Sequence, residues 1–131
     1  MKKTGIINQP IAALIAGLGH TDMITIADAG LPIPPNVTRI DIALQAGTPS
    51  LLETVKVVLS ELHVERAIIA QEAADVSPNY FTAFQELMGD IPIDIIPHEE
   101  LKQLTHSTRG IIRTGEFTPF ANIILVAGVV F

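Results

Sequence analysis

Short β-branched runs alternate with longer segments of helical hydrophobic period along the whole chain, and this alternation limits the possible fold more than any other feature. Met23 to Ala27, about Arg39 to Leu44, Ala67 to Ala70, Ile93 to Ile96, Gly110 to Arg113 and a final run from about Asn122 have the length and composition of strands. Between them lie helical patterns with identifiable starts. Asn8 is a candidate cap with Pro10 in the first turn, and Ile7, Ile11, Leu14, Ile15 and Leu18 form one apolar face that Gly19 ends. Ser50 and Glu53 suit a capping box ahead of Leu51, Leu52, Val55, Val58, Leu59 and Leu62. Ser77-Pro78 opens a helix that Gly89 stops, and Pro97-His98-Glu99-Glu100 starts a short acidic one reaching Leu104. Such alternation predicts a single three-layer α/β domain over residues 1–131, Rossmann-like, with a largely parallel central sheet and helices on both faces.

Composition then raises a difficulty for a lone domain. A chain of 131 residues leaves about a third of its unfolded surface in contact with water. Only 17% of its residues are charged, against about 25% in typical domains, and the mean hydropathy is +0.43. The surplus must face a membrane or another protein surface. A spanning helix needs about 20 apolar residues in succession, and no such run exists; the longest candidate, Ile123 to Phe131, reads as a buried strand. Met1-Lys2-Lys3 followed by Ile11 to Ala16 has the outline of a secretory signal, but Asn8, Gln9 and Pro10 interrupt it and an amphipathic helix explains it better. A homo-oligomer is therefore the expected destination of the apolar surplus. The net charge of −6 gives no footprint for nucleic acid or anionic lipid. The absence of cysteine excludes disulfide and thiolate chemistry and permits a cytoplasmic location.

Several familiar sites fail on spacing. Neither a Gly-x-Gly-x-x-Gly nor a phosphate loop ending in Gly-Lys-Ser/Thr is present, and His98-Glu99 lacks the second histidine of a zinc motif because that position is Lys102. No Gly-x-Ser-x-Gly elbow occurs. What remains is a set of polar residues at strand ends, where open α/β sheets build their sites. His20 follows the first helix, and spacing alone favours a histidine facing that helix's terminal carbonyls over a site residue. Asp28 closes an apolar strand before Ala29-Gly30, where a turn aspartate is an equal reading. His98 stands where a strand becomes a helix, while His63 and His106 read as solvated. The polar loop from Arg113 to Asn122 suits a ligand or a subunit interface, and spacing does not choose between them.

Three long stretches occur in one order: Leu18-Gly19-His20-Thr21-Asp22, Ile26-Ala27-Asp28-Ala29-Gly30-Leu31-Pro32, and Arg113-Thr114-Gly115-Glu116-Phe117-Thr118-Pro119 with Ala121-Asn122. In these the chain resembles, end to end, the D-ribose pyranase family, whose relatives include fucose mutarotases. That resemblance implies a cytoplasmic isomerase without cofactor or metal that interconverts the pyranose and furanose forms of D-ribose. It implies a homodecamer of stacked rings with sites between adjacent subunits. By the same resemblance His20 is the proton donor, and Asp28, His98, Phe120, Ala121 and Asn122 bind the sugar. Asp28 is expected either to orient His20 or to hold sugar hydroxyls. Many members carry tyrosine where this chain has Phe120, so one phenol hydrogen bond to the sugar is absent or replaced. Two other functions suit the same residues: a non-catalytic sugar-binding or regulatory oligomer, and a mutarotase for another sugar such as fucose.

Overall fold

The computed structural model describes residues 1–131. Its elements are α1 (Gln9–Ala16), β1 (Met23–Ala27), β2 (Thr38–Asp41), α2 (Leu51–Leu59), β3 (Val64–Ala70), α3 (Gln71–Val76), α4 (Pro78–Met88), β4 (Ile93–Ile96), α5 (His98–Leu104), β5 (Gly110–Arg113) and β6 (Ile123–Ala127). Helix starts follow the local chemistry. The Asn8 side chain accepts from the Ile11 N–H at 3.1 Å, with Pro10 in the first turn, and Ser50 Oγ accepts from the Glu53 N–H at 3.2 Å. No helix is long and apolar enough to cross a membrane.

The strands form one six-stranded sheet in the order β2-β5-β1-β6-β3-β4. The pairs β2·β5, β5·β1 and β3·β4 are parallel, and β6 runs antiparallel to both of its neighbours, β1 and β3. The direction of β6 follows from its connection. Between Arg113 and Ile123 the chain has no helix to carry it back across the sheet, so it must return from the end at which β5 left. The sheet is thus mostly parallel with one reversed central strand, and the loop of residues 114–122 lies over the carboxyl end of β1.

Alternate residues of the strands feed two cores. Ile24, Ile26, Ile69, Ile112, Ile123 and Leu125 meet Ile11 of α1, Leu51, Val55 and Val58 of α2 and Phe84 and Met88 of α4. On the other face Ala27, Ile68, Ala70, Ile111, Ile124 and Val126 meet Leu101 of α5 and the loop residues Leu31 and Val37. Removing any of these larger side chains from water contributes about 1.5–3 kcal/mol.

Some boundaries differ from the expectation. Helix α1 stops at Ala16 with Gly17 as its cap, two residues before Gly19. The second strand ends at Asp41 because the chain turns into the tight Gln45–Thr48 bridge. Helix α3 was not anticipated; it buries only Ala73 and so leaves little hydrophobic period. The last strand ends at Ala127, where β1 and β3 offer no further partner, and Val130 and Phe131 are exposed.

Candidate active site

Polar residues gather at the carboxyl ends of the parallel strands. Asp28 leaves β1 and is held on three sides. Its N–H donates to Asn122 Oδ1, Asn122 Nδ2 donates to Asp28 Oδ2, and the Gly30 N–H donates to Asp28 Oδ1, each at 2.9 Å. Asn122 is fully buried at the start of β6, so its amide is a fixed brace. An ionised carboxylate offers about four acceptor sites, and these two bonds leave the others open to a ligand.

His98 begins α5, and its backbone N–H donates to Glu72 Oε2 at 2.8 Å. The ring meets Phe120 edge-on, with centroids 5.0 Å apart at 82°. His98 Nδ1 is buried without a hydrogen-bond partner. A proton there would have no acceptor, so the ring proton belongs on Nε2, which then serves as a donor. Phe120 itself has φ +61°, a left-handed conformation that costs a non-glycine residue about 1–3 kcal/mol and is characteristic of binding sites. These residues line a cleft of about 350 Å³ with Leu31, Pro32, Pro119 and Lys102. Ala121 is buried and does not line it, so any contact it makes with a ligand is through its backbone.

The loop over β1 is fastened from beneath. Glu116 accepts from Tyr80 Oη at 2.7 Å, from Thr118 Oγ1 at 2.8 Å, and from the N–H groups of Leu51, Thr118 and Phe117. Burial opposes its charge, but the bonds from Tyr80, Thr118 and Leu51 prevail and hold its carboxyl below the usual glutamate range. Burial, together with that carboxylate, pushes the Tyr80 phenol up. Gly115 is required because a Cβ would lie 2.3 Å from the Thr48 carbonyl oxygen. Arg113 donates to the Ala29 carbonyl and to both oxygens of Asp41. Of the loop, Pro119, Phe120 and Asn122 line the cleft, while Arg113, Glu116, Phe117 and Thr118 line an adjoining one that shares Asp28, Gly30 and Pro119 with it.

His20 is elsewhere. It precedes β1 while Asp28 follows it, so a strand of five residues separates them, about 17 Å at roughly 3.3 Å per residue. Within one chain Asp28 does not orient His20. The partner of His20 is instead Glu65, whose Oε2 lies 2.9 Å from Nε2. The turn that presents His20 is closed by Asp22, which accepts from the Gly19 N–H and from Arg109, each at 2.9 Å. Those two bonds hold the Asp22 carboxyl below its usual range.

Sequence reasoning missed Lys102 and Glu65. Lys102 was readable, since it lies four positions after His98 and so on the same face of α5. Glu65 left no such signal, being 45 positions from its partner.

The model of the RbsD / FucU transport protein family matches residues 1–130. The chain belongs to that family. Over 131 residues it is 53% identical to a D-ribose pyranase of Chloroflexus aggregans and 50% identical to one of Laribacter hongkongensis, covering all of each chain. The structure of Bacillus subtilis RbsD complexed with D-ribose matches with a TM-score of 0.98 and 46% identity over the whole of both chains. A fucose mutarotase of Streptococcus pneumoniae in complex with L-fucose matches with a TM-score of 0.79 at 22% identity, over 95% of each chain, and shares the fold. The mostly parallel sheet and its reversed strand are thus the architecture of the RbsD / FucU family.

Proposed function

We propose that this chain interconverts the pyranose and furanose forms of D-ribose, with the sugar in the cleft between Asp28 and His98. Full-length likeness to proteins named D-ribose pyranase carries the reading, and the cleft supplies chemistry suited to it. Ring opening needs a proton delivered to the ring oxygen as the C1–O bond breaks, and the anomeric hydroxyl proton removed as the carbonyl forms. Reclosure returns a proton to the carbonyl oxygen as a different hydroxyl, losing its own proton, attacks C1. These are proton transfers throughout, without oxidation or an activated group, so the proposal includes no cofactor or metal. Histidine suits them because both of its forms are accessible near neutrality, and one positioned acid or base contributes about 10²–10⁴ in rate.

In this reading His20 is the proton donor. Asp28 accepts from sugar hydroxyls through its open lone pairs, Asn122 braces it, and His98 Nε2 and Lys102 donate. The Phe120 ring packs against the sugar, and Ala121 contributes its backbone. Since His20 and the cleft lie at opposite ends of β1, a complete centre takes His20 from a neighbouring copy. The proposal accordingly includes sites between subunits of a homodecamer in the cytoplasm. Exposed Ile7, Leu44, Val130 and Phe131 are the apolar surface such an assembly would cover.

NMR saturation transfer on ribose and fucose in one series tests the function. Accelerated exchange of ribose is the expected result. Ribose affinity without acceleration would select a non-catalytic binder, and acceleration of fucose alone would select a mutarotase for another sugar.

A further inference from the structure

His20 and Glu65 meet at the amino end of the sheet through two local departures from regular backbone. Thr21 has φ +68° and donates its N–H to the Ala127 carbonyl at 2.9 Å, which turns His20 outward beside the end of β6. Opposite the same residue, β3 carries an irregularity. Val64 pairs with Ala127 and Arg66 with Val126, so Glu65 is an extra residue bulged out of the ladder. A bulge costs regular pairing and re-aims a side chain, and bulges concentrate beside active sites. Here it aims Glu65 at His20 Nε2, 2.9 Å away. The two side chains are 54% and 40% exposed, so their pairing contributes little to the stability of the chain. Stability therefore does not account for the bulge.

An ionised carboxylate only accepts hydrogen bonds. The nitrogen that faces Glu65 must then carry a proton, and the other ring nitrogen is left to exchange one. We infer that Glu65 is a positioning residue for His20: it holds the ring by Nε2–H and makes Nδ1 the nitrogen that passes the proton to and from the sugar. A carboxylate that fixes the tautomer and orientation of a working imidazole is a recurrent arrangement in acid–base sites. In the opening step Nδ1–H gives its proton to the ring oxygen as the C1–O bond breaks, while the anomeric hydroxyl loses its proton to water, leaving neutral imidazole with Nε2–H still on Glu65. In the closing step Nδ1 takes the proton of the hydroxyl that attacks C1, while water returns a proton to the carbonyl oxygen.

The inference rests on the reading of His20 as the proton donor, and the experiment separates the two. Histidine 15N NMR of the assembled wild-type protein, with the His20 signals assigned by their loss in His20→Ala, reports the tautomer directly; the expected form is protonated at Nε2. Glu65→Ala is expected to lower kcat for ribose exchange by about ten- to hundredfold, with KM within about twofold because the cleft is untouched. Glu65→Gln, which keeps an acceptor oxygen, is expected to recover most of that loss. A wild-type His20 protonated at Nδ1 alone, or a Glu65→Ala kcat within twofold of wild type, overturns the inference. If Glu65→Ala does not assemble, the wild-type tautomer decides. Full activity in His20→Ala would instead overturn the role of His20, whatever Glu65 does.

Discussion

At the carboxyl end of β1 the hydrogen-bonding groups of Asp28 are tied to Asn122 and Gly30, whereas at the amino end the His20 and Glu65 side chains bond only to each other. The first end is braced by a fully buried amide and roofed by a loop fastened through Glu116. The second is open to water. A binding constellation must be held by its surroundings before the ligand arrives, and the carboxyl end meets that requirement within one chain. Proton transfer gains from exclusion of water, and the amino end meets that requirement only when something covers it. In the proposed site, one chain thus carries two dissimilar halves of a centre, at opposite ends of β1.

The most direct way to break this comparison is to inactivate each half separately. His20→Ala is expected to lower ribose exchange by about 10²–10⁴ while leaving ribose affinity within a few-fold, measured by saturation transfer and calorimetry. Asp28→Ala is expected to lose affinity. If the halves come from different copies, dissociating the two variants, mixing them equally and reassembling them should restore about one quarter of the wild-type sites. Mixing that restores nothing would show that both halves serve the same chain.

The difference in rigidity makes a second, smaller prediction. Asn122→Leu removes the partner of the Asp28 N–H in a buried setting and should lower the unfolding free energy by about 2–4 kcal/mol, as well as weakening ribose binding. Glu65→Gln at the exposed end should change it by no more than about 1 kcal/mol. Denaturant unfolding of both variants checks the contrast; equal losses would remove it.

What the sequence made legible follows the same division. Asn8, Pro10 and Ser50 announced helix starts because capping is chemistry between residues three or four positions apart. The positions of Asp28, His98 and Asn122 at strand ends were legible because strand runs are local patterns. Pairings across the fold were not: Asn122 braces Asp28 from 94 positions away, and Tyr80 reaches Glu116 across 36. The reversal of β6 was implicit in the lack of a helix between Arg113 and Asn122, but a strand run carries no direction of its own. Most instructive is the polar loop, whose Glu116 looked available to a ligand and proves to spend its oxygens on Tyr80, Thr118 and nearby backbone N–H groups. Composition says that a residue is polar; only the fold says which partners it already has.

Glu116 also gives the roofed end a distinct response to acid. Its carboxyl is held below the usual range in the folded chain, so between the folded and unfolded pKa values the unfolded state binds more protons. The stability it contributes is present above the unfolded glutamate value of about 4.3 and is lost as pH falls through the folded value. Thermal melts at stepped pH should show the wild-type midpoint falling below about pH 4.5, with a shallower fall in Glu116→Gln. Parallel acid limbs in the two proteins would mean that other carboxylates, Asp22 among them, set the response.

The smallest expected effect concerns Phe120, the position at which the family resemblance led us to expect tyrosine. The Phe120 ring packs edge-on against His98 and lines the cleft, but it brings no hydrogen-bonding group. Its strained backbone sets where the ring stands, and Phe120→Tyr keeps both the ring and the backbone requirement while adding a hydroxyl. One new hydrogen bond to a sugar hydroxyl exchanges a bond to water for one to protein, a net gain of about 0.5–1.5 kcal/mol. Calorimetry should therefore find ribose bound roughly three- to tenfold more tightly by Phe120→Tyr. Equal dissociation constants would mean that the ring contributes by contact alone, and that the polar recognition in this half of the centre is already complete in Asp28, His98, Lys102 and the amide that braces them.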